Sequence, residues 1–443
     1  MRPSDLVPRR FTNQTNRQLE TRLNTPYCDL PWYHKWLRRQ VRAQPQGLLF
    51  YPPDENLDDD SALDAHFLPL WCRIRALILQ PGPTSIDAIS NALVLENLVI
   101  LKQDYDAMQS ARDLVFSVLG WQTMLYKPDF SSYSSGGYTL LDEMDGCNSE
   151  SRVCLNQHGL SSRNNLSDFL LGFGMMLPPR NHCAMPDPDD QLLFSRTKTI
   201  LVKDVDAHVL TKVCSIKIQW VDSLSCHLEL NRQSGILYVF RYPSFCLSAL
   251  KEYRSQTRSE RAGGGGDGSV LHRCGLMHHY DAGVPWGSEE DVTALLAEII
   301  LSYRLIFGQS KRSRATFRRL RPFTKIPPAE HDKVLWQLCG RKRPELLLHS
   351  GDGGVVDLVE RDEYDLAGDF PHLRSRLTRL SAHAASRKPR SIRQLWQDNR
   401  DSTAWLAFWS VLIFGSVSVV LGLTQTVFQI LSYFNDIKDN QKG

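Results

Sequence analysis

The sequence lacks several features that would set its compartment or its chemistry. Residues 1–18 hold four arginines and no apolar run, so they do not form a secretory signal peptide. The formal net charge of +3 is too small to indicate a general affinity for nucleic acid. The 10 cysteines are scattered and include no Cys-x-x-Cys pair, which argues against a disulfide framework and a zinc ribbon. These absences favour a cytosolic region with reduced thiols.

The glycine-rich and acidic segments lack the residues that ligand-binding motifs need. Residues 263–268 (GGGGDG) have no Lys-Ser/Thr pair and follow no apolar strand, so we interpret 262–269 as a flexible linker and not as a phosphate-binding loop. Residues 51–60 (YPPDENLDDD) lack the spacing and the central glycine of an EF-hand calcium loop. We therefore expect no cofactor at either segment.

One long apolar run is present, near the C-terminal end. No charged residue lies between Asp401 and Asp436. Since about 20 apolar residues in a helix cross the hydrocarbon core of a bilayer, residues 404–434 are predicted to contain a transmembrane helix. The residues that define this span are large and apolar: Trp405, Phe408, Trp409, Leu412, Ile413, Phe414, Val419, Leu421 and Leu423.

The charges on either side of the run predict its orientation. Five basic residues precede it: Arg387, Lys388, Arg390, Arg393 and Arg400. Only Lys438 and Lys442 follow it, and two aspartates balance them. Because basic residues stay on the cytosolic side, the large N-terminal region is predicted to be cytosolic and residues 435–443 to be a short non-cytosolic tail. The chain would then be a tail-anchored, single-pass protein of an intracellular membrane.

Small and polar residues share one side of the predicted membrane helix. They follow one another at spacings of three and four residues: Gly415, Ser418, Gly422, Gln425 and Gln429. Small residues let two helices approach closely, and glutamine side chains can hydrogen-bond between them. This stripe predicts weak self-association or contact with another membrane helix. The alternative is that glycine and serine are common in such spans and that the glutamines only reach the headgroups.

The region before the span is predicted to be an α+β cytosolic domain, mostly helical with a small antiparallel sheet, over residues 61–383. Residues 1–60 are poorly patterned, and 384–401 form a basic juxtamembrane segment. Apolar residues recur at helical spacing in 61–79, 86–102 and 104–119, which gives a helical layer over 61–125. Residues 127–191 are rich in Ser, Gly, Asn and Pro and are predicted to be loops.

In the second half of the domain, the spacing of the apolar residues changes from helical to alternating. Three alternating runs within residues 199–241, with a turn at 231–235, predict an antiparallel meander. Helical spacing returns over 288–340, where Ser288 and Asp291 form a capping signal for a helix at 288–307 that Gly308 would close. A hairpin is predicted at 351–354, and helices at 371–383 and 391–399.

Two basic clusters are candidate membrane-contact surfaces. One follows the helix at 288–307, with no acidic residue in 308–329: Lys311, Arg312, Arg314, Arg318, Arg319 and Arg321. The other adjoins the span: Arg374, Arg376, Arg379, Arg387, Lys388, Arg390 and Arg393. Anionic lipid headgroups attract such residues, whereas the alternative for the first cluster is a solvated face or internal ion pairs. Phe317 and Phe323 are the only aromatic residues interleaved with the basic residues of the first cluster, and no known nucleic-acid-binding motif is present. No specific nucleic-acid binding is therefore expected.

Residues suited to bind zinc crowd into one short segment, HRCGLMHHYD. They are His272, Cys274, His278 and His279, but their spacing matches no standard zinc motif. We expect no metal there. The first functional hypothesis is a non-enzymatic interaction or scaffold protein that binds a protein partner or lipid headgroups at a membrane surface. The alternative is a membrane-tethered enzyme with a site in this Cys/His segment.

Several stretches resemble a known group of sequences. They are YPPDENLDDD, HFLPLWCRIRALIL, FSVLGWQTMLY, KIQWVDSLSCHLELNRQSGILYVFRYPSFC, EIILSYRLIFGQSKRSR and RSIRQLWQDNRDSTAWLAFWSVLIFGSVSVVLGLTQTVFQI. Together they resemble uncharacterised proteins of filamentous fungi that carry a single C-terminal transmembrane helix. The resemblance covers most of the chain and implies a fungal source, a cytosolic domain and a tail anchor. It implies no catalytic residues.

Overall fold

Helices form most of the structure, as the spacing of apolar residues predicts. The computed structural model describes residues 30–45, 60–99, 107–132, 136–144, 154–174, 177–183, 187–261, 268–275, 287–343, 360–387 and 402–440. The helices are α1 (Pro31–Arg42), α2 (Asp60–Leu79), α3 (Ile86–Leu95), α4 (Ala107–Thr123), α5 (Leu166–Leu171), α6 (Pro188–Arg196), α7 (Val202–Val205), α8 (Ala207–Lys212), α9 (Pro243–Arg261), α10 (Val270–Gly275), α11 (Glu289–Tyr303), α12 (Lys311–Leu320), α13 (Lys333–Gly340), α14 (Arg374–Ser386) and α15 (Ser402–Asn440).

Within the described ranges, the strands are short and form three small sheets. They are β1 (Gly137–Thr139), β2 (Asn156–His158), β3 (Thr199–Leu201), β4 (Lys217–Val221), β5 (Leu230–Asn231), β6 (Ile236–Phe240) and β7 (Glu363–Asp365). β1 pairs with β2 and β3 with β7, both antiparallel. The predicted fold class is confirmed: the chain is mostly helical, with small antiparallel sheets and one C-terminal apolar helix.

The predicted meander is wrong in its strand order. β6 lies between the other two strands of its sheet and pairs parallel with β4 and antiparallel with β5. After β4 the chain leaves the sheet because the Glu143 carboxylate accepts the backbone N–H groups of Asp222 and Ser223. Leu228 then turns the chain with a φ of 60°, so that only the two residues of β5 rejoin the sheet at its other edge.

The turn between β5 and β6 is the part of the meander that was predicted correctly. The Asn231 side chain accepts hydrogen bonds from the backbone N–H groups of Gln233 and Ser234. Gly235 has a φ of 66°, a conformation that favours glycine. This local chemistry specifies the hairpin, whereas the parallel pairing of β4 depends on distant contacts.

Helix α3 is shorter than its predicted range of 86–102. Ser85 caps its first turn, and the helix stops at Leu95 because Asn97 has a φ of 55°, outside the helical region. The side chain of Leu95, the last residue of the helix, is 83% exposed, whereas Val99 is buried in the core although it lies beyond the helix.

Helix α1 extends the domain beyond its predicted start at residue 61. Its Trp32 ring stacks on Tyr242 at 4.1 Å, and the indole N–H donates to Ser244 Oγ at 2.8 Å. The Tyr33 hydroxyl donates to the backbone oxygen of Trp121 at 2.7 Å. Residues 31–42 therefore belong to the core, and basic side chains cover only the outer side of this helix.

The capping signal at Ser288 is confirmed. The Ser288 hydroxyl accepts from the Asp291 backbone N–H, and the Asp291 carboxylate accepts in return, which closes a capping box at the start of α11. A single π-helical turn, Arg304–Gly308, extends α11 to about its predicted end. A Cβ at Gly308 would collide with the Arg304 guanidinium. The glycine therefore leaves room for the Arg304 side chain, which hydrogen-bonds to residues outside the turn.

One main hydrophobic core joins α1 to α5 and α7 to α14, and within the described chain neither α6 nor α15 contributes a residue to it. The predicted loop region 127–191 supplies core residues such as Phe169 and Phe173 from around the short helix α5. The hairpin at 351–354, the helix at 391–399 and linker residues 262–267 lie outside the described residues.

Candidate membrane-binding elements

Helix α15 has the length and composition of a transmembrane helix. Its apolar part, Leu406–Tyr433, has 28 residues and a mean hydropathy of 2.2 in its most apolar window, none of which is buried in the structure. At 1.5 Å per residue this part rises about 42 Å, more than the ~30 Å hydrocarbon core. A core helix of a soluble protein would be mostly buried. The apolar surface of α15 is therefore left for another environment.

The predicted span residues lie on all sides of α15. Leu412, Ile413, Phe414, Val419, Leu421 and Leu423 are exposed. Phe408 and Trp409 are partly covered and contact each other edge to face, at 6.2 Å between ring centroids. The side chain of Trp405 lies outside the described part. Such an all-round apolar surface suits a lipid environment better than a one-sided protein interface.

Four hydroxyl groups of α15 are satisfied inside the helix. Ser418, Thr424 and Thr426 each donate to the carbonyl four residues earlier, at 2.8 Å, and Ser410 does so to the carbonyl three residues earlier. These hydroxyls need no water, which lowers the cost of placing them in lipid. Gln425 and Gln429 carry amide groups on the same helix that can hydrogen-bond to an outside partner.

The predicted packing stripe lies on one open side of α15. On a continuous helix, Gly415, Ser418, Gly422, Gln425 and Gln429 fall within about 80° of one another. A Cβ placed on Gly415 or Gly422 meets nothing within 4 Å in the described structure. The stripe is therefore a shallow, accessible groove that ends at the two glutamines.

The first basic cluster forms one face of α12. The opposite side of the helix is buried through Ser313, Thr316 and Phe317. The exposed side carries most of the predicted basic residues: Lys311, Arg312, Arg318, Arg319 and Arg321. The structure thus leaves the side chains at those positions exposed, and their role as a membrane-contact surface stays a prediction.

Arg314 is a correction to the predicted basic surface. It is only partly exposed and donates to the backbone oxygens of Gly308 and Gln309 at 2.7 and 2.8 Å. Burial, followed by repulsion from Arg304, lowers its pKa. Its side chain completes the end of the π-helical turn and does not face solvent as a free charge.

Part of the second basic cluster is a correction: Arg374, Arg376 and Arg379 are buried on α14, and the last two pair with the Glu229 carboxylate at 2.8 and 2.7 Å. Arg387, which follows α14, is partly buried, and its Nε lies 3.4 Å from His383 Nε2. Lys388, Arg390 and Arg393 lie outside the described part. Their contribution therefore rests on their sequence positions between α14 and α15.

Sequence reasoning missed two residues that join the α12 face. His208 and Lys212 lie on α8, which packs against α12. The pKa of His208 is lowered by burial and further by repulsion from Arg312, Lys212 and Arg319, while Asp206 acts in the opposite direction. No local pattern could have shown this, because a hundred residues separate the two helices.

The described half of the Cys/His segment is buried in the core. The His272 ring stacks on Tyr253 at 4.3 Å, its Nε2 lies 3.1 Å from Thr293 Oγ1, and burial lowers its pKa to about 3. Cys274 is buried on the same helix, α10, and burial raises the pKa of its thiol to about 12. His278 and His279 lie outside the described residues. Both described groups are therefore neutral at physiological pH.

The described residues show no arrangement suited to metal chemistry, since no group of three or more His, Cys, Asp or Glu could hold a metal ion. A small polar crevice lies beside Arg273, Thr84 and Ser167, with a volume of about 20 Å³. That is room for roughly one water molecule, and the crevice includes neither His272 nor Cys274.

Comparisons of the chain with protein-family models, with curated proteins and with solved structures found no match.

Proposed function

We propose that the protein is a tail-anchored, single-pass membrane protein whose folded domain serves as an interaction or scaffold module at the cytosolic surface of an intracellular membrane. The observation that carries the proposal is the 28-residue apolar part of α15, with no part of its most apolar window buried. Leaving that surface in water would be costly, whereas a bilayer accommodates it over its whole length.

The proposed orientation rests on the flanking charges. Five basic residues lie between α14 and α15, whereas the two lysines after the span are balanced by Asp436 and Asp439. This asymmetry favours the folded domain on the cytosolic side. The resemblance to fungal single-span proteins supports the same arrangement, and we propose that the chain belongs with them.

A non-enzymatic role fits the described chemistry better than the alternative of a membrane-tethered enzyme. A nucleophilic cysteine needs a lowered pKa and access, whereas Cys274 is buried and its pKa is raised. His272 is two residues away on the same helix, and residues at that spacing face different directions. No observation on the described residues favours a catalytic site at this segment.

The stripe on α15 supports a weak homo-oligomer or a contact with a partner's membrane helix. The open surface at Gly415 and Gly422 would allow close approach, and Gln425 and Gln429 would gain hydrogen bonds that lipid cannot give. This association is part of the proposed function and would concentrate the folded domains at one place on the membrane.

The anchoring proposal is tested by alkaline carbonate extraction of membranes from cells that express the full chain. The wild-type chain is expected in the membrane pellet. Val419→Arg plus Leu423→Arg should move it to the soluble fraction, because each arginine near the middle of a span costs about 2.5–3.5 kcal/mol of insertion free energy. Val419→Ile plus Leu423→Ile is the matched control and should remain in the pellet. A wild-type chain in the soluble fraction would refute the anchor.

A further inference from the structure

We propose that a basic face formed by α12 and the end of α8 binds the anionic headgroups of the membrane that α15 spans. The face consists of Lys212, Lys311, Arg312, Arg318, Arg319 and Arg321. This inference rests on the proposed anchoring, and it adds a second membrane contact made by the folded domain itself.

The face has a rigid base. The Phe317 ring, on the buried side of α12, packs at 5.7 Å from Phe307 and at 5.0 Å from Trp336. The Arg318 guanidinium donates to the backbone oxygen of Gly340 at 3.1 Å, which ties α12 to the end of α13. The exposed basic side chains are therefore held on one side of a fixed helix, and little order must be gained on binding.

The charges of this face are not neutralised by carboxylates. Elsewhere on the surface, arginines are paired: Arg39 with Glu330, Arg73 with Glu96, Arg112 with Asp87, Arg232 with Asp190 and Arg361 with Asp369. Over the described length of α12, Lys311, Arg312 and Arg319 make no ion pair, and residues 308–329 include no acidic residue. The face therefore has a positive electrostatic potential, which favours the binding of an anion.

The positive charges converge at one end of α8. Arg312, Lys212 and Arg319 each lower the pKa of His208 by electrostatic repulsion, so the basic side chains of both helices lie near this ring. His208 Nε2 is buried and has no hydrogen-bond partner in the described chain. Asp206 is the acidic group that acts on the ring, and its carboxylate already caps α8 by accepting from the Val209 N–H.

The chemistry of the face fits phosphate-bearing headgroups. Guanidinium groups bind phosphate oxygens in a bidentate way, and a basic residue near an anionic leaflet contributes roughly 1 kcal/mol. Trp336, which is 38% exposed, lies against Phe317 at the edge of the face, and tryptophan is favoured at the level of the headgroups. A membrane is preferred over RNA as the occupant because the anchor would keep headgroups at high local concentration.

The experiment uses the full chain in nanodiscs and measures hydrogen exchange of the backbone in α12 and α8. Discs of phosphatidylcholine alone are compared with discs that also contain phosphatidylserine. We expect slower exchange in both helices with phosphatidylserine, and we expect high salt to remove the difference. Lys212→Gln plus Arg312→Gln plus Arg319→Gln should lower the ratio of docked to free domain about a hundredfold, since each residue contributes roughly 1 kcal/mol.

A matched control removes three exposed positive charges from other elements: Lys35→Gln, Arg196→Gln and Lys251→Gln. It should keep the phosphatidylserine effect. Equal exchange in the two kinds of disc, or an equal loss of the effect in the control, would overturn the headgroup site while leaving the anchor intact. Protection of α12 by added RNA in phosphatidylcholine discs would overturn it in favour of nucleic acid. A chain that fails to enter discs would overturn the anchoring proposal and this inference with it.

Discussion

At the scale of single residues, buried polar side chains hold the domain together across long stretches of sequence. Glu298, in α11, accepts the backbone N–H of His372 at 3.0 and 3.1 Å and that of Leu373 at 2.8 Å. These donors precede α14, which begins at Arg374, three residues after its predicted start at 371. The carboxyl group therefore supplies the cap that the sequence near α14 does not provide.

The burial of Glu298 leads to a prediction of how the free energy of unfolding depends on pH. Burial raises its pKa from 4.5 to about 8, although the backbone N–H groups of Leu373 and His372 oppose the shift. A raised pKa in an acid means that the folded state favours the protonated form, so stability falls as pH rises from about 4.5 through about 8. Glu298→Gln, which mimics the protonated carboxyl, should reduce the loss of unfolding free energy between pH 5 and pH 9.

Urea denaturation at several pH values checks this prediction. Glu298→Ala serves as the second variant, because it leaves the two N–H groups without an acceptor and should cost about 1–3 kcal/mol at every pH. An unchanged pH dependence in Glu298→Gln would show that this carboxyl group is ionised throughout the range.

Gly308 predicts a steric effect at the π-helical turn. Its neighbour Arg304 is fully buried and donates to Glu360 and to the backbone oxygens of Leu338, Arg341 and Lys342. Gly308→Ala would push the guanidinium away from these acceptors, at a cost of about 1–3 kcal/mol of unfolding free energy.

Gly340→Ala is the control for Gly308→Ala. A Cβ at Gly340 would come no closer than 3.9 Å to Phe317 and Trp336, which is ordinary van der Waals contact. Thermal or urea denaturation should show a clear loss for the first variant and a much smaller change for the second. Equal effects would contradict the role assigned to Arg304.

At the scale of elements, local signals in the sequence predicted what local chemistry controls. The capping box at Ser288 and the turn at residues 231–235 were predicted because every residue involved lies within a few positions. The position of β6 between β4 and β5, the cap that Glu298 gives to α14 and the burial of α1 depend on partners tens to hundreds of residues away. A single sequence carries no signal for those pairings.

Helix α15 predicts a specific association. Gly415→Leu plus Gly422→Leu would fill the groove on the stripe. If the small residues set how closely the helices approach, this change should weaken self-association or partner binding by roughly a few tens of fold. A membrane two-hybrid assay with the full chain measures this.

Val420→Leu plus Val427→Leu, on the opposite side of the helix from the stripe, is the matched control and should leave association unchanged. Association that is equally strong in the stripe variant and the wild type would remove the stripe as a contact surface. The two glutamines would then be assigned to the headgroup region alone.

At the scale of the whole molecule, the structure separates a folded domain with its own core from an apolar helix that is not part of that core. The presence of this helix could be predicted, because length and composition alone decide it, whereas its end could not: α15 continues to Asn440, into the predicted tail 435–443. The basic face of α12 was predicted in part, at the exposed positions, whereas Arg314 turned inward and Lys212 joined from another helix. Exposure and proximity are properties of the fold, so a charge pattern alone could not fix them.

The most direct test of the central claim is protease protection in sealed membranes from cells that express the full chain with a different epitope at each end. We expect that protease removes the N-terminal epitope and the folded domain, while a small fragment with the C-terminal epitope stays protected until detergent opens the membrane. Loss of both epitopes without detergent, or protection of the N-terminal epitope alone, would contradict a single span with the folded domain in the cytosol.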